Sequence, residues 1–474
     1  MQNLSASLPW VHRVFRFLLL VLIVCSFTEA EQGEASVSTA ATTASSGLRN
    51  RWVQLLMGVI AMMAIANLQY AWTVFVNPMQ KQWGWSLAAI QGVFAMFILA
   101  ETWLVPFEGY LVDRFGPRTI VSIGAVLVGL SWVGSGLANS IEFLYVSYVI
   151  GGVGAGAVYG ASVGNAMKWF PDHRGLASGF TAGGYGIGTA LTVWPIQNMI
   201  NASGYQQAFI VFGIIQGIVC LAAAQTLSVP DKGWRPAGWD PKAVAAKRGL
   251  RQPLRDSSPI QMVKTSHFWL LYVMFVMIGT SGLMATAQVG PIAKFYKVDN
   301  IPMAFGMTAL VMAVEVDRLL NGFTRPFWGW VSDHIGRENT MTIAFTLQGI
   351  FIFLWMNLTA HPVAFVVLTG VVFFTWGEIF SLFPATVGDL FGTKYATTNY
   401  GILYTAKGVA SIFAGPLAAM LFEATNSWTP IFWITVVASL ITAALAYFVL
   451  KPLTAKYVRV VEAPKPAPAI GGSE

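Results

Sequence analysis

Charged residues and cysteines are both scarce in this sequence. Only 10% of the 474 residues are Asp, Glu, Lys or Arg, against about 25% in a typical soluble domain, which excludes a water-soluble globule because its surface could not be covered. The two cysteines, Cys25 and Cys220, exclude a disulfide framework and a cysteine metal cage. The five histidines lack metal-ligand spacing, and no Walker A sequence or catalytic triad occurs. We therefore expect no metal, no cofactor, no ATP-driven step and no enzymatic activity.

Long apolar runs fill much of the chain, in which 55% of residues are apolar. A membrane-spanning helix needs about 20 mostly apolar residues, whereas a β-barrel would show alternating segments of about ten residues. The sequence therefore predicts an all-α integral membrane protein with twelve transmembrane helices. The predicted spans are 52–76, 88–112, 118–138, 142–167, 175–197, 206–228, 267–289, 303–330, 340–358, 362–388, 398–422 and 428–450.

A polar stretch with five prolines separates the first six runs from the last six, as expected for a linker between two pseudo-symmetric six-helix bundles. The chain also begins with a signal-like stretch, in which an apolar run follows Arg13 and Arg16. Because cleavage would leave Arg49 and Arg51 outside, we expect an N-terminal extension or a misassigned start codon instead. The predicted divisions are 1–50 (extension), 51–228 (first bundle), 229–265 (linker), 266–452 (second bundle) and 453–474 (disordered tail).

A short segment recurs in both halves at a constant offset. Residues 105–116 read VPFEGYLVDRFG and residues 325–336 read RPFWGWVSDHIG, with five identical positions. Duplicated halves are typical of secondary transporters, whose substrate site lies between them. Glycine permits close helix approach, while Asp and Arg can cap a helix or pair across the loop. We interpret the repeat as a conformational gate made of Gly109, Asp113, Arg114, Gly329, Asp333 and Arg337.

Ionisable residues inside the predicted spans carry the strongest functional signal, because charge at membrane depth is costly. Arg318, Asn321 and Arg325 share one face of the eighth helix, since seven residues turn about 700°. Glu315 and Asp317 flank that face, so Asp317 and Arg318 can form a structural pair. No such neighbour is available to Arg325 within its helix.

Lys407 in the eleventh helix also lacks a nearby carboxylate and shares a face with Tyr400 and Tyr404. Two unpaired cations from two helices of one half predict an anion site. The alternative is that Arg325 and Lys407 pair with Glu378 or with lipid phosphate. An Arg fork matches a carboxylate and Lys adds a point charge, so a small carboxylate is the expected ligand.

Several motifs resemble those of the bacterial oxalate/formate antiporters of the major facilitator superfamily. They include GYLVDRFGPR at 109–118, RPFWG at 325–329 and AK at 406–407, and the resemblance extends over about residues 49–450. It implies the major facilitator fold, with Arg325 and Lys407 holding a dicarboxylate. It also implies that aromatic and amide residues complete the cage, namely Gln69, Tyr70, Gln91, Tyr159, Tyr185, Trp376 and Tyr404.

The sequence departs from that family at several positions. Phe380 stands where the exchanger has Tyr, Glu378 stands where it has a small residue, and Tyr404 replaces Trp. The eighth helix also carries the additional charges described above. Glu378 lies about 200° around the helix from Trp376, so it points into packing if Trp376 faces the cavity. If the helix is unwound near Gly377, its carboxylate enters the site instead.

The function implied is secondary transport of small carboxylates by alternating access, with oxalate/formate-type exchange expected. The alternative is proton-coupled transport of a monocarboxylate, with Glu378 or Glu101 carrying the proton. A membrane sensor is disfavoured because no output domain is present. The expected partners are small carboxylate anions and the lipid bilayer, with no nucleic acid and no obligate protein partner.

The distribution of Lys and Arg predicts the orientation. Twenty lie on the side that holds residue 50 and the linker, and three lie on the other side: Lys81, Lys294 and Lys297. Positive loops stay in the cytoplasm, so we expect a multi-pass protein of the inner (cytoplasmic) membrane with both bundle ends cytoplasmic. This location of the basic residues also explains the net charge of +7 without nucleic acid.

We predict that reporters active only in the cytoplasm will be active when inserted near residue 245 or fused after residue 474, because the basic residues retain both segments there. The measurement is reporter activity per unit of fusion protein, with a fusion near residue 298 as the matched external control. Silence at the first two positions together with activity at the third would reverse the topology.

Overall fold

The computed structural model describes residues 49–170, 174–231, 234–236, 256–392 and 395–459; at 109, 110, 113, 174, 175, 333, 396, 397 and 456–459 it describes the backbone but not the side chain. Within these ranges the chain is helical and has no β-strand apart from a single bridge between Pro302 and Thr308. The signal-like stretch and residues 237–255 of the linker lie outside the described residues.

Twelve consecutive helical segments cross the molecule, in agreement with the prediction. Ten of those described are long and apolar enough to span a membrane. The remaining two are α5, which a 3-10 turn divides, and α8, which is long but carries five charged residues. The segments are α1 Arg51–Trp83, α2 Leu87–Glu108, α3 Arg114–Leu137, α4 Ile141–Trp169, α5 Arg174–Ile187 with Gly188–Leu191 and Val193–Ser203, α6 Tyr205–Thr226, α7 Ser266–Phe295, α8 Ala309–Ile335, α9 Arg337–Leu358, α10 Pro362–Phe391, α11 Thr398–Thr425 and α12 Thr429–Ala455.

Several helix ends lie a few residues from the predicted ones, and three further differences concern the linker, the start of the eighth helix and the C-terminus. A short helix, Pro259–Val263, begins at a capping box formed by Ser258 and Gln261 and lies within the predicted linker. The eighth helix begins at Ala309, after the bridged turn, and not at 303. Helical structure at the C-terminus continues to Arg459, past the predicted end of the second bundle at 452, and residues 460–474 lie outside the described part.

The two copies of the repeat end in the same backbone conformation. Gly116 has φ 79° and ψ 160°, and Gly336 has φ 88° and ψ 156°. A residue with a Cβ atom is disfavoured in this region of φ and ψ, so glycine is required at both positions. The two copies therefore share one backbone turn, at Gly116 near the start of α3 and at Gly336 between α8 and α9.

The helices pack as two groups of six. In the first group α3 contacts α4 and α6, and α2 contacts α4; in the second, α8 contacts α10, α9 contacts α12 and α7 contacts α11. Glycines of α4 permit the α2–α4 contact, since a Cβ at Gly152 or Gly156 would lie within 2.6 Å of a carbonyl oxygen of α2. The groups meet through α1 and α7, α2 and α11, and α5 and α8.

We call the end of the molecule at which α1 begins, near Arg51, the basic end, and the other end the opposite end. Several contacts between the bundles lie at the opposite end. Asn77 Nδ2 donates to the Gly290 carbonyl at 3.3 Å, and the Gly290 amide donates to Thr73 Oγ1 at 2.7 Å. Gln91 Nε2 donates to Ala287 O at 2.7 Å and to Gln288 Oε1 at 3.1 Å. These bonds hold the bundles together at the opposite end.

We predict that Gly290→Ala weakens this closure, because the added Cβ would lie 2.6 Å from the Thr73 carbonyl oxygen. Overpacking of this kind costs about 1–3 kcal/mol, enough to change the population of a closed state roughly fivefold or more. In a background lacking Cys25 and Cys220, an Asn77→Cys reporter should react correspondingly faster with a membrane-impermeant maleimide when Gly290→Ala is added.

The matched control is Gly164→Ala in α4, where the new Cβ would meet no heavy atom within 4 Å. Its labelling rate should equal that of the Asn77→Cys parent. Equal rates for both alanine variants would contradict a closure maintained by the α1–α7 contact.

Candidate functional site

The predicted cations lie between the bundles, buried from solvent. Arg318 and Arg325 of α8 and Lys407 of α11 are 0%, 3% and 1% exposed. All three belong to the second bundle, and the groups that face them come largely from the first. The site is therefore built across the boundary between the two halves.

Lys407 forms an ion pair across that boundary. Its Nζ donates to Glu101 Oε2 at 2.8 Å, to Gln69 Oε1 at 3.0 Å and, within its own helix, to Tyr404 OH at 3.2 Å. The expectation that Lys407 is unpaired is thus wrong, and so is the alternative pairing with Glu378. Helical spacing identifies only neighbours in the same helix, whereas Glu101 belongs to α2.

Tyr185 of α5 joins the same network. Its hydroxyl lies 2.8 Å from Glu101 Oε1 and 3.0 Å from Gln69 Oε1, and donates to these acceptors. Each oxygen of the buried Glu101 carboxylate thus has a partner, as a buried carboxylate requires. Four of the predicted site residues, Gln69, Tyr185, Tyr404 and Lys407, are brought together around one carboxylate.

Arg325 has no such counter-charge. Its Nη1 donates to the Ala182 carbonyl of α5, and no carboxylate of the described residues lies within 4.0 Å of it. Its Cζ lies 4.6 Å from the centroid of the Phe380 ring, and Lys407 Nζ lies 5.7 Å from the same centroid. The two predicted cations therefore share one aromatic wall, and Phe380 stands where the resemblance expects a tyrosine.

Tyrosines line the space beside the cations. The rings of Tyr159 and Tyr404 stack at 5.8 Å across the bundle boundary, and Tyr159 contacts Tyr185 at 5.7 Å. Tyr70 of α1 contacts Tyr185 at 5.3 Å, and its hydroxyl has no hydrogen-bond partner among the described residues. Aromatic ring faces stabilise the buried cations beside them, because the ring quadrupole attracts positive charge.

The tenth helix is interrupted near Gly377, which is the backbone condition of one of the two alternatives for Glu378. Its halves, Pro362–Phe374 and Ile379–Phe391, are separated by a turn that contains Trp376 and Glu378. Trp376 packs against Gly282 of α7, where a Cβ would lie 2.1 Å from the indole. Glu378 is 0% exposed, and neither carboxylate oxygen has a hydrogen-bond partner among the described residues.

Arg318 lies beside its neighbour Asp317, with Nε 2.7 Å from Oδ1, so the predicted pair is present. The geometry of that contact makes no hydrogen bond, however. The Cζ of Arg318 lies 4.1 Å from the ring centroid of Tyr70 and 4.7 Å from that of Phe373. The guanidinium group is thus held between two aromatic rings, one from each bundle.

Gln91 lies apart from the cations. It is ten residues before Glu101 in α2, about 15 Å along the helix. Its Oε1 accepts from Trp72 Nε1 at 3.1 Å, and its amide nitrogen bonds to α7 as described above. Gln91 is therefore placed in the inter-bundle contact of the opposite end, and not beside Lys407 as the resemblance implies.

Of the predicted gate, Arg337 has the clearest contacts. It bonds through Nε to Asp389 Oδ2 at 3.2 Å and through Nη1 to Ser332 Oγ, joining α8, α9 and α10. Arg114 is exposed, with Cζ 5.5 Å from the Phe115 ring centroid, and Gly329 has open space around it. The remaining predicted gate residues, Gly109, Asp113 and Asp333, lie outside the side chains that the structure describes.

Comparison with known proteins identifies relatives along nearly the whole chain. The sequence profile of the Major Facilitator Superfamily matches residues 55–321 and 317–471. The oxalate:formate antiporter of Oxalobacter formigenes is 37% identical over 405 residues, which are 85% of this chain and 92% of that protein. The "Probable sulfoacetate transporter SauU" of Cupriavidus necator is 26% identical over 413 residues (85% and 93%), and monocarboxylate transporter 12 of Xenopus laevis is 21% identical over 370 residues (76% and 80%).

The extent of these matches agrees with the twelve helices and the duplicated halves, and it confirms the resemblance drawn from the motifs. The chain therefore belongs to the Major Facilitator Superfamily of membrane transporters and, within it, to the family of the oxalate:formate antiporter.

Proposed function

We propose that this transporter exchanges small carboxylates across the inner membrane, with the anion bound between Arg325 and Lys407. The observation that carries the proposal is the position of the two cations: both are buried, and both lie over the Phe380 ring. Arg325 supplies a planar fork for a carboxylate, and Lys407 supplies a point charge. A site without bond-making groups at these positions binds and releases its ligand, as a carrier must.

The charge arrangement favours small anions of one or two negative charges. With Lys407 paired to Glu101, Arg325 is the cation that remains uncompensated, and the site suits a monoanion such as formate. When a substrate carboxylate replaces Glu101 on Lys407, two positive charges become available, and a dianion such as oxalate suits the site. Glu101 therefore occupies the place of one substrate carboxylate.

Substrate binding in this arrangement bears directly on the contact between the bundles. Lys407 bonds to Glu101 and Gln69, and Arg325 bonds to Ala182, so both cations tie the second bundle to the first. A carboxylate that takes over these donors exchanges bonds between the bundles for bonds to the ligand. Such a differential interaction is what a ligand needs in order to shift the balance between two access states.

The relatives support this class of substrate, since the names of the three compared proteins specify oxalate and formate, sulfoacetate and monocarboxylates. In the same proposal the basic end faces the cytoplasm, and the repeated loops act as the gate. Tyr159, Tyr185 and Tyr404 form the wall of the anion cage, and Tyr70 and Trp376 close it. The carrier needs no cofactor.

A second candidate function is proton-coupled monocarboxylate transport, and the Glu101–Lys407 pair favours it. A proton on Glu101 would neutralise the carboxylate that competes for Lys407 and would release the ammonium group for a substrate anion. Proton and anion would then bind together. Glu378, whose carboxylate has no hydrogen-bond partner among the described residues, is the other candidate proton carrier.

We predict that Arg325→Gln and Lys407→Gln each abolish counterflow of labelled oxalate and formate in proteoliposomes, because each removes a cation from the cage. Loss of Lys407 also leaves Glu101 buried without its counter-ion, which costs about 3–5 kcal/mol of stability. Transport should therefore be measured per unit of correctly inserted protein.

Two further variants separate transport from stability. The double variant Glu101→Gln with Lys407→Gln removes both charges together and should insert normally, yet fail to transport. Lys81→Gln, which changes an exposed lysine, should transport as the wild type does. Normal counterflow in the double variant would exclude α11 from substrate binding.

For the proton-coupled candidate, we predict that Glu101→Gln removes the dependence of monocarboxylate uptake on an imposed pH gradient, since glutamine imitates the protonated acid permanently. Wild-type uptake should rise as the external side is acidified, and Glu142→Gln, at an exposed position of α4, should behave as the wild type does. Wild-type uptake that is indifferent to pH would leave anion exchange as the function.

A further inference from the structure

We propose that Arg318, together with Asn321 and Tyr70, is a second recognition arm that binds the far end of a substrate held at Arg325. The inference rests on the proposed function and adds a specificity determinant to the same cavity. Its ligand class is a short dicarboxylate, an anion with hydrogen-bond acceptors at both ends. A single carboxylate such as formate would not engage the arm.

The first observation is the state of the Arg318 guanidinium group. Its Nε faces Asp317 at 2.7 Å without forming a hydrogen bond, and neither Nη1 nor Nη2 has an acceptor among the described residues. The side chain is nevertheless 0% exposed. Buried arginine donors are almost always satisfied, so the free edge of this fork indicates a ligand.

The rings around Arg318 limit the directions from which an acceptor can approach its guanidinium nitrogens. The guanidinium group lies between Tyr70 at 4.1 Å and Phe373 at 4.7 Å, which cover it from both bundles. The N–H groups point outward in the plane of the fork and are not directed at the ring faces, so an acceptor would approach in that plane. A fork with two free terminal nitrogens matches a carboxylate bidentately.

Two neighbouring polar groups also lack a well-formed hydrogen bond. The hydroxyl of Tyr70 and both side-chain atoms of Asn321 are buried, and the two groups lie next to each other without a hydrogen bond of standard geometry to any described residue. Asn321 follows Arg318 by three residues and precedes Arg325 by four, so the three side chains follow one face of α8. This face thus forms a continuous polar strip about 10.5 Å long between the two arginines.

The charge at Arg318 explains why the arm would change the relative affinities for different anions more than the affinity for all of them. Asp317 compensates Arg318, so the arm adds hydrogen-bond donors and little net positive charge. A monocarboxylate is then held by the Arg325 and Lys407 site without the arm, whereas a dicarboxylate that reaches along α8 gains the donors of Arg318 at its second end. The arm therefore affects the ratio of affinities among anions more than their common affinity.

The test is Arg318→Lys, which keeps the positive charge beside Asp317 and removes the two-nitrogen fork. Unlabelled oxalate, malonate, succinate, formate and acetate should be compared as inhibitors of labelled-carboxylate counterflow by the full-length protein. We expect the half-inhibiting concentration of at least one dicarboxylate to rise about tenfold or more, as for the loss of a charge-assisted hydrogen bond. The values for formate and acetate should stay within about twofold.

The paired variant Asp317→Asn with Arg318→Gln removes the two charges together and should reproduce the selective loss. Asn321→Ala, which removes the amide group beside the Tyr70 hydroxyl, should show it in weaker form. If Arg318→Lys and the paired variant leave every ratio unchanged, Arg318 is only a structural partner of Asp317 and the inference is wrong. If the wild type transports no carboxylate, the proposed function itself is wrong. If the wild type transports carboxylates and Arg325→Gln abolishes that transport, the proposed function stands and the comparison of variants tests the arm alone.

Discussion

An ammonium group buried between membrane helices needs a counter-charge, and Lys407 has its counter-charge on the other bundle. The remaining features of the site follow from this pair. The Glu101 carboxylate accepts from Tyr185, Gln69 Oε1 accepts from both Lys407 and Tyr185, and Tyr404 adds the remaining contact from α11. A buried ion pair adds little net stability, but removing one partner and leaving the other unpaired is costly. The arrangement is therefore better suited to exchanging one anion for another on Lys407 than to holding the bundles together permanently.

Close helix approach makes this polar interface possible in a chain that is mostly apolar. Gly152 and Gly156 let α2 lie against α4, which fixes Glu101 at the boundary between the bundles. Gly282 and the break in α10 place Trp376 against α7, while Gly186 lies near the Asn321 carbonyl of α8. Lipid offers no hydrophobic force between helices, so packing of small residues and polar bonds must hold the bundles together. Those polar bonds are also the ones that a ligand can replace.

The ring walls set the character of the cavity. Phe380 presents an apolar face to Arg325 and Lys407 where a tyrosine is expected from the family, so one hydroxyl is absent from the cage. Arg318 and Asp317 add a neutralised pair two turns away on α8. In the proposed function these differences concern the part of the site that selects among carboxylates, and they leave the central pair of cations unchanged.

Composition and periodicity alone determined the membrane class, the number of helices, the division into halves and the identity of the buried cations, because the cost of polar groups in lipid constrains each of these locally. The repeat likewise predicted a common structural element, which Gly116 and Gly336 share. Only the tertiary structure decided which charges meet. Lys407 lies 306 residues from Glu101, and no periodicity relates groups on helices of different bundles. The same reason explains why Gln91 belongs to the opposite-end contact and why Arg325, in contrast to Lys407, has no carboxylate of the described residues beside it.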